Sequence, residues 1–385
     1  MTRRVLVIRL DGVGDVLLAG PAVRAVAAAP DREVTLLCGP AGASAARLLP
    51  GVAQVLEWAS PWVLNPPPPV TRGTVDRFVD ALAQHGFAEA VVLTSYHQSP
   101  LPTALLLRLA GVRRITGASV DYPGTLLDVR LRPGDGPGDD LPEDLPEPER
   151  ALAIAAAAGY RLPPGDAGGL AVLPPPPTGH LLAPLDGDPY VVLHPGAAVP
   201  ARRWPAAHHR TTAGLLARRG TAVVVTGGPD ERDLTAEVAA GAADEGGHVL
   251  DLAGRTGLPE LSAVLAGAEV VVVGNTGAAH LAAAVGTPVV SLFAPVVPAV
   301  RWRPYRVRHV LLGDQAAPCR DTRARDCPVP GHPCLSLVPP TAVLDAVHRL
   351  RAGTRGVPPL RGGRPRVAPA PAPVPAPDGV LPRRP

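Results

Sequence analysis

The chain has 385 residues, of which 46% are hydrophobic and 18% are charged, a composition typical of a globular protein long enough for two domains. Its formal net charge is +3, but six arginines and one aspartate from residue 353 onwards contribute +5, which leaves about −2 for the rest. This balance argues against a nucleic-acid-binding surface, and the interruption of every apolar stretch by proline, glycine or charge argues against a transmembrane helix.

The first part of the chain alternates short apolar runs, typical of buried strands, with helix-like segments. Strands are predicted at residues 5–9, 34–38, 52–57, 90–95 and 114–117. Helices are predicted between them at residues 21–29, 41–49, 76–84 and 102–110. Residues 61–72, which include four consecutive prolines, are predicted to form a surface loop. The alternation favours a parallel sheet with helices on both faces.

A second unit of the same kind follows a region rich in proline and glycine. Residues 133–149 are predicted to form a loop, residues 148–160 a helix and residues 161–189 a linker. Strands are then predicted at residues 190–194, 221–226, 248–251, 269–273 and 288–293, with helices at 206–219, 230–243, 258–267, 278–285 and 341–352. The predicted fold class is therefore α/β, with two Rossmann-like, doubly wound domains facing each other across a cleft.

These elements define the predicted domain boundaries. We expect an N-terminal domain at residues 1–165, an interdomain linker at 166–189 and a C-terminal domain at 190–352. Residues 353–385, rich in proline and arginine, are predicted to be a disordered tail, and contact of this tail with an anionic membrane surface is the alternative interpretation. Because no segment has the pattern of a signal peptide, a cytoplasmic location is expected.

The segment LDGVGD, residues 10–15, lies where the first strand gives way to a helix. It contains no GxGxxG fingerprint, so a dinucleotide site is not expected at this turn. Asp15 has two interpretations. It is either a capping residue or favourable charge at the helix N-terminus, or a general base at the mouth of the cleft.

Two further strand ends carry polar residues. In HPGAAVPARRWP, residues 194–205, Arg202 is suited to bidentate binding of phosphate, or is a solvated surface charge. In TGGPDE, residues 226–231, the Glu231 carboxylate is suited to accept hydrogen bonds from ribose hydroxyls, or belongs to an ordinary acidic helix start.

The segment GNTGAAH, residues 274–280, points most directly to an anion site. Small residues separate a buried strand from a helix, so free backbone N–H groups and the positive end of the helix dipole face the cleft. Thr276 and His280 add side-chain donors, although a packed core histidine remains the alternative for His280.

In this order, the four segments resemble motifs of the glycosyltransferase family 9 proteins, the ADP-heptose:lipopolysaccharide heptosyltransferases. Residues 8–24 resemble the family's IRLxxxGDVxxxxPAxRA motif, and HPGA with RRWP resembles the start of its second domain. TGGPDE resembles TGGPxxE with the acid one place earlier, and residues 275–295 resemble DTGxxHLAAAxGTPVVxLFGP. The resemblance spans roughly residues 3–350.

The resemblance implies a GT-B architecture and an inverting glycosyl transfer that uses no metal or other cofactor. It implies a heptose donor, ADP-heptose, bound mainly by the C-terminal domain, and an acceptor of the lipopolysaccharide-core type or another glycan or glycolipid, bound by the N-terminal domain. Asp15 is the implied general base, with Asp11 and Gly14 on the acceptor side. The implied donor-binding residues are Arg202, Thr226, Gly227, Glu231, Asn275, Thr276, Gly277 and His280.

Departures from the family pattern keep other functions open. Asn275 stands where the family commonly has aspartate, Arg202 where lysine is common, and Ala294 where a glycine is found. A non-catalytic nucleotide-sugar-binding protein and a glycosyltransferase with a different nucleotide-diphosphate sugar are the alternatives. A nicotinamide oxidoreductase is disfavoured by the missing glycine fingerprint.

A cysteine-rich segment, PCRDTRARDCPVPGHPCL, follows the last motif and includes Cys319, Cys327, His332 and Cys334. Family members often carry a similar segment. The spacing lacks the CxxC pairing typical of zinc sites, so reduced structural thiols are the prediction and a zinc site is the alternative. We further expect a monomer with no nucleic-acid partner, with peripheral contact at the cytoplasmic face of the inner membrane left open.

Overall fold

The computed structural model describes residues 3–352, and the predicted tail at residues 353–385 lies outside the described residues. The first sheet consists of β1 (Arg3–Arg9), β2 (Arg32–Cys38), β3 (Val52–Glu57), β4 (Glu89–Val92), β5 (Arg114–Ala118) and β6 (Val129–Leu131). The second consists of β7 (Tyr190–His194), β8 (Ala222–Val225), β9 (Val249–Asp251), β10 (Val270–Gly274), β11 (Val289–Leu292) and β12 (His309–Leu312). All pairings between neighbouring strands are parallel.

The two sheets have the same topology. Their orders are β3-β2-β1-β4-β5-β6 and β9-β8-β7-β10-β11-β12, so each is a doubly wound sheet with a reversal of strand order beside its first strand. Ligands of such sheets bind beyond the carboxyl ends of the strands at that reversal. The ends of β1 and β4 in one sheet, and of β7 and β10 in the other, are therefore where a site is expected.

Helices connect the strands and cover both sheets. In the first half they are α1 (Val13–Leu18), α2 (Gly20–Ala27), α3 (Ala43–Ala46), α4 (Arg72–His85), α5 (Leu101–Leu109), α6 (Glu147–Ala157) and α7 (Gly179–Leu182). In the second half they are α8 (Ala206–Ala217), α9 (Arg232–Ala243), α10 (Leu258–Gly267), α11 (Gly277–Ala284), α12 (Ala299–Trp302), α13 (Pro333–Ser336) and α14 (Pro340–Ala352). Across residues 3–352, no helix is both long and apolar enough to cross a membrane.

The predicted strands are all present, and both sheets are parallel and doubly wound, as expected. Two edge strands, β6 and β12, were not predicted, because runs of three and four residues carry little sequence signal. The first helix begins at Val13 rather than Pro21, directly after the glycine that ends the β1 turn. The predicted linker contains α7, and the domain boundaries themselves stay a prediction.

The two halves meet where α1 approaches α11, and glycine makes this approach possible. A Cβ on Gly277 would lie 2.7 Å from Cγ1 of Val13, and one on Gly14 would lie 2.9 Å from Cδ2 of His280. Contacts this short are not tolerated, so the helix starts of the two halves pack backbone against backbone at this point. The arrangement places the turns after β1 and β10 opposite each other.

We expect Gly277→Ala to lower the free energy of unfolding by about 1–3 kcal/mol, since the added methyl group overpacks the contact with Val13. Chemical denaturation of the full chain measures this. Gly179→Ala is the matched control: Gly179 also opens a helix, but a Cβ there has no atom within 4 Å, so its stability should stay the same or rise. Equal stability of Gly277→Ala and the wild type would contradict the packing argument.

Candidate active site

The structure brings three of the four sequence motifs to one cleft of about 640 Å³ between the halves. Its N-terminal wall is formed by the turns after β1 and β4, which contribute Asp11, Gly14, Asp15 and His97, among others. Its C-terminal wall comes from the turns after β7 and β10 and from residues 297–325. The walls therefore meet at the two points where strand order reverses, as the topology predicts.

Arg9, the last residue of β1, is the centre of the N-terminal wall. Its side chain is only 2% exposed, and its Nε lies 2.9 Å from Oδ2 of Asp11 while its Nη2 lies 2.8 Å from Oδ1 of Asp15. Nη2 also donates to Oγ of Ser95 at 2.7 Å, and Nη1 pairs with Oε2 of Glu147 at 3.3 Å. Burial alone would lower the pKa of Arg9, but these carboxylates raise it, so the guanidinium stays charged.

Sequence reasoning did not assign Arg9 a role, although a signal was present. A charged residue that interrupts a buried apolar strand requires compensating charge in the folded state. Its partners Asp11 and Asp15 follow Arg9 within six residues. The sequence pattern drew attention to both aspartates but not to the arginine whose charge they share.

Asp15 is held by groups from both halves of the chain. It is the third residue of α1, and its side chain makes no capping bond at the helix start, so the N-cap interpretation is wrong. Its place in the first turn does make it a favourable charge at the helix N-terminus, as the sequence also suggested. Oδ1 instead accepts from Nη2 of Arg9 and, at 3.1 Å, from Nε1 of Trp302. The side chain is 26% exposed and faces the cleft. Burial would raise the pKa of Asp15, but the Arg9 charge and the Trp302 N–H, helped by His280, hold it below its usual value.

Asp11 lies beside Asp15 in a different electrostatic environment. Its Oδ1 accepts from Nε2 of Gln98 at 2.6 Å, and its Oδ2 contacts Arg9. Burial raises the pKa of Asp11 to about 6, and the negative charges of Asp15 and Glu147 add to the rise while Arg9 opposes it. The two neighbouring carboxyl groups thus differ in proton affinity, because burial dominates at Asp11 whereas the Arg9 charge and the Trp302 N–H outweigh burial at Asp15.

Glu147 links this wall to the C-terminal half. It opens α6 and is 1% exposed, and while Oε2 faces Arg9, its Oε1 lies 3.6 Å from Nη1 of Arg301. Arg301 is buried on α12 directly before Trp302, and its guanidinium also pairs with Glu143 and lies over the ring of Tyr96. A chain of charged groups therefore runs from Asp15 through Arg9 and Glu147 to Arg301 on α12. The same helix carries Trp302, the second donor to Asp15. Sequence reasoning missed this chain of charged groups because Glu147 is 138 residues from Arg9.

The C-terminal wall presents polar groups without protein partners. Nη1 of Arg202 donates to the backbone oxygen of Asn275 at 3.4 Å, but its Nε has no hydrogen-bond partner among the described residues. The same holds for Nδ2 of Asn275, Oγ1 of Thr276 and Nδ1 of His280, all of them buried atoms. In the described part of the chain no side chain caps α11, so the N–H groups of its first two residues, Gly277 and Ala278, are also free to bind. Burial lowers the pKa of His280 to about 4, which makes it a neutral donor at pH 7.

Three predicted donor residues do not line this cleft. Thr226 is fully buried and its Oγ1 lies 3.0 Å from Nδ1 of His194, while Gly227 and Glu231 belong to the turn after β8. The Glu231 carboxylate accepts from the Gly228 N–H at 2.8 Å and lies so close to Gly196 that a Cβ there would overlap it. These residues shape the HPG turn beside the cleft, and their contact with a donor stays a prediction.

The cysteine-rich segment contains reduced thiols. Cys319 and Cys334 are buried, and Cys327 is half-buried, with no disulfide at any of them. Burial and the neighbouring Cys319 raise the pKa of the Cys334 thiol to about 12, so it is protonated at neutral pH. Among residues 3–352, no three His, Cys, Asp or Glu side chains are grouped so that they could hold a metal ion.

Comparison with known proteins confirms the family resemblance. Residues 156–331 match the model of glycosyltransferase family 9 (heptosyltransferase). Lipopolysaccharide heptosyltransferase 3 of Escherichia coli is 35% identical over 169 residues, which are 43% of this chain and 47% of that protein. The matched region spans less than half the length of the curated relatives.

Solved structures confirm the predicted GT-B architecture. The E. coli ADP-heptose lipopolysaccharide heptosyltransferase II superimposes with a TM-score of 0.68 at 20% identity, covering 92% of this chain and 100% of that one. An E. coli heptosyltransferase solved with ADP-2-deoxy-2-fluoro heptose superimposes with a TM-score of 0.65 at 23% identity, covering 90% of this chain and 99% of that one. At these identities the likeness concerns the fold.

We expect Glu147→Gln to lower the pKa of Asp11 from about 6, because Arg9 then compensates two carboxylates instead of three. The measurement is a carboxyl ¹³C NMR titration of aspartate-labelled protein, with Asp11→Asn used to assign the signal. Glu149→Gln is the matched control, since Glu149 lies on the same helix but accepts from Tyr305 rather than pairing with Arg9. An Asp11 titration that is the same in Glu147→Gln and wild type would contradict the shared-charge account.

Proposed function

We propose that this chain is a family 9 glycosyltransferase that moves heptose from ADP-heptose onto a lipopolysaccharide-core-like or other glycan or glycolipid acceptor, with inversion and without a catalytic metal. One observation carries the proposal: an ionised carboxylate, Asp15, and unpartnered groups suited to a diphosphate lie on opposite walls of a single cleft. The relatives named heptosyltransferases, and the related structure that contains an ADP-heptose analogue, support this choice of donor.

Asp15 acts as the general base in this proposal. Because its pKa lies below its usual value, it is ionised at neutral pH, and its side chain reaches the cleft between two fixed donors. The carboxylate takes the proton of an acceptor hydroxyl as that oxygen attacks the anomeric carbon of the donor. The bond from the anomeric carbon to the diphosphate oxygen breaks on the opposite face, so the electron pair leaves with ADP and the configuration inverts.

The leaving diphosphate gains negative charge, and the C-terminal wall offers the groups to receive it. Arg202 supplies a cation, the free N–H groups at the start of α11 supply donors along the helix dipole, and Thr276 adds a hydroxyl. His280 contributes a neutral hydrogen bond rather than a charge, since burial holds its pKa near 4. These groups are fixed before the reaction, which is the condition for stabilising a transition state.

The remaining predicted residues have supporting roles in the proposal. Gly14 and Gly277 allow the two walls to approach each other, and Asp11 helps to orient Gln98 on the acceptor side. Asn275 presents an amide where the family commonly has a carboxylate, and its backbone oxygen anchors Arg202. Glu231, with Thr226 and Gly227, is proposed to contact the nucleoside beyond the diphosphate.

A second candidate is a nucleotide-sugar-binding protein without turnover. The observation that favours it is the amide of Asn275, which lacks the negative charge common at this position in the family. The ionised Asp15 and the cleft that joins both walls favour the enzyme. A different nucleotide-diphosphate sugar is compatible with the same geometry.

We expect Asp15→Asn to lower kcat by about 10²–10⁴-fold while ADP binding stays within twofold of wild type, because only the base is removed. The measurement combines a transfer assay, using ADP-heptose with a panel of lipopolysaccharide-core and other glycan acceptors, and calorimetric titration of ADP. The matched control is Asp233→Asn, an exposed aspartate on α9.

Each outcome of this experiment separates the candidates. Transfer by Asp15→Asn at the wild-type rate would show that the base is wrongly assigned. ADP binding without transfer to any acceptor would favour the binding protein, and retention of the anomeric configuration in the product would exclude the inverting mechanism.

A further inference from the structure

Two arginines of the cysteine-rich segment belong neither to the proposed base nor to the proposed diphosphate site. Arg323 and Arg325 line the cleft. Both residues are exposed, and within residues 3–352 neither side chain makes an ion pair or hydrogen bond. Cations in a cleft without partners attract anionic ligands, and the walls of a cleft concentrate their field.

The backbone that carries these arginines is fixed. The Arg323 N–H donates to the Val296 oxygen at 2.8 Å, and the Arg325 oxygen accepts from the Ala201 N–H at 2.9 Å. The segment is therefore attached both to the loop after β11 and to the turn that carries Arg202. Cys319 and Cys334 anchor its two ends in the core of the second half. Buried thiols thus support a segment whose polar residues face the cleft.

The position of Arg323 separates it from the diphosphate groups. Arg202 lies against Asn275 at the start of α11, on the C-terminal wall. Arg323, in contrast, acts electrostatically on His97 of the N-terminal wall: burial and the Arg323 charge lower the pKa of His97 to about 4. The loop after β11, to which the Arg323 backbone is bonded, continues into α12, where Trp302 donates to Asp15. Arg323 therefore lies on the part of the C-terminal wall that faces the proposed base, where the acceptor is proposed to bind.

The N-terminal wall itself supplies little positive charge to the cleft. Within residues 3–352, the arginines that line the cleft are Arg202, Arg323 and Arg325, and all three belong to the C-terminal half. Arg9 is buried behind the N-terminal wall and already compensates three carboxylates. An acceptor with a negative charge would consequently find its partners on the cysteine-rich segment.

We propose that Arg323 and Arg325 form a subsite for a phosphate or carboxylate group of the acceptor, separate from the diphosphate subsite at Arg202 and α11. The inference rests on the proposed function, since it takes the cleft to hold a nucleotide sugar and an acceptor together. Guanidinium groups bind such anions through paired hydrogen bonds, and two of them on one segment fix the orientation of the acceptor.

The test measures the binding of ADP and the binding of anionic sugars separately on the full chain. ADP is titrated first, which reports on the diphosphate subsite and hence on the proposed function. With ADP saturating, glucose 6-phosphate and glucuronate are then titrated against neutral glucose as probes of the new subsite. We expect the wild type to prefer both anionic sugars, and Arg323→Gln/Arg325→Gln to weaken them at least about tenfold with ADP affinity within twofold.

Arg320→Gln is the matched control, because Arg320 lies in the same segment but pairs with the exposed Asp321. It should leave every affinity unchanged, and circular dichroism with a melting curve verifies that each variant is folded. Arg323→Glu/Arg325→Glu provides a second variant, in which the preference for anionic sugars should disappear.

Three results would overturn the subsite. The first is that the wild type binds the anionic and neutral sugars equally well. The second is that Arg323→Gln/Arg325→Gln loses as much affinity for ADP as for the anionic sugars. The third is that this double variant binds the anionic sugars as tightly as the wild type does. A wild type that fails to bind ADP but binds anionic sugars through Arg323 and Arg325 would instead contradict the proposed function and retain the anion subsite.

Discussion

The burial of Arg9 at the end of β1 is the constraint on which the site depends. A guanidinium that is 2% exposed needs compensating charge, and it receives it from Asp11, Asp15 and Glu147. Arg9 lowers the pKa of both aspartates, but their other surroundings differ. Burial raises the pKa of Asp11 to about 6, whereas at Asp15 the Arg9 charge together with the Trp302 N–H outweighs burial and lowers the pKa. The Arg9 guanidinium thus orients the proposed base and keeps it ionised.

The charge cluster around Arg9 also connects the two halves of the chain. Glu147 extends the charge cluster to Arg301, and the neighbouring Trp302 donates to Asp15. Gly14 and Gly277 let the helix starts approach closely enough for these contacts to form. The Asp15 carboxylate therefore has both of its side-chain donors, Arg9 and Trp302, only when the two halves are in place.

Much of the fold could be predicted because periodicity and strand ends are local features. The strand at residues 5–9 and its counterpart at 190–194 were predicted within a few residues, since continuous apolar runs bounded by turns are a strong signal. The short edge strand at Val129–Leu131 and the α7 helix in the predicted linker were not, because three or four residues show no measurable period. The side chain of Asp15 was ambiguous in the sequence, as a helix cap and a general base occupy similar positions after a strand.

The sequence by itself determined the α/β class and the placement of Asp11, Asp15, Asn275 and Thr276 at one edge of their sheets, because the carboxyl ends of parallel strands share an edge. Only the tertiary structure decided which groups hold these residues. Arg9 meets Glu147 across 138 positions and Asp15 meets Trp302 across 287, separations over which no local pattern carries information. The same holds for Arg323 and Arg325 at the cleft, because the packing of the two halves decides whether an exposed arginine faces solvent or a cleft.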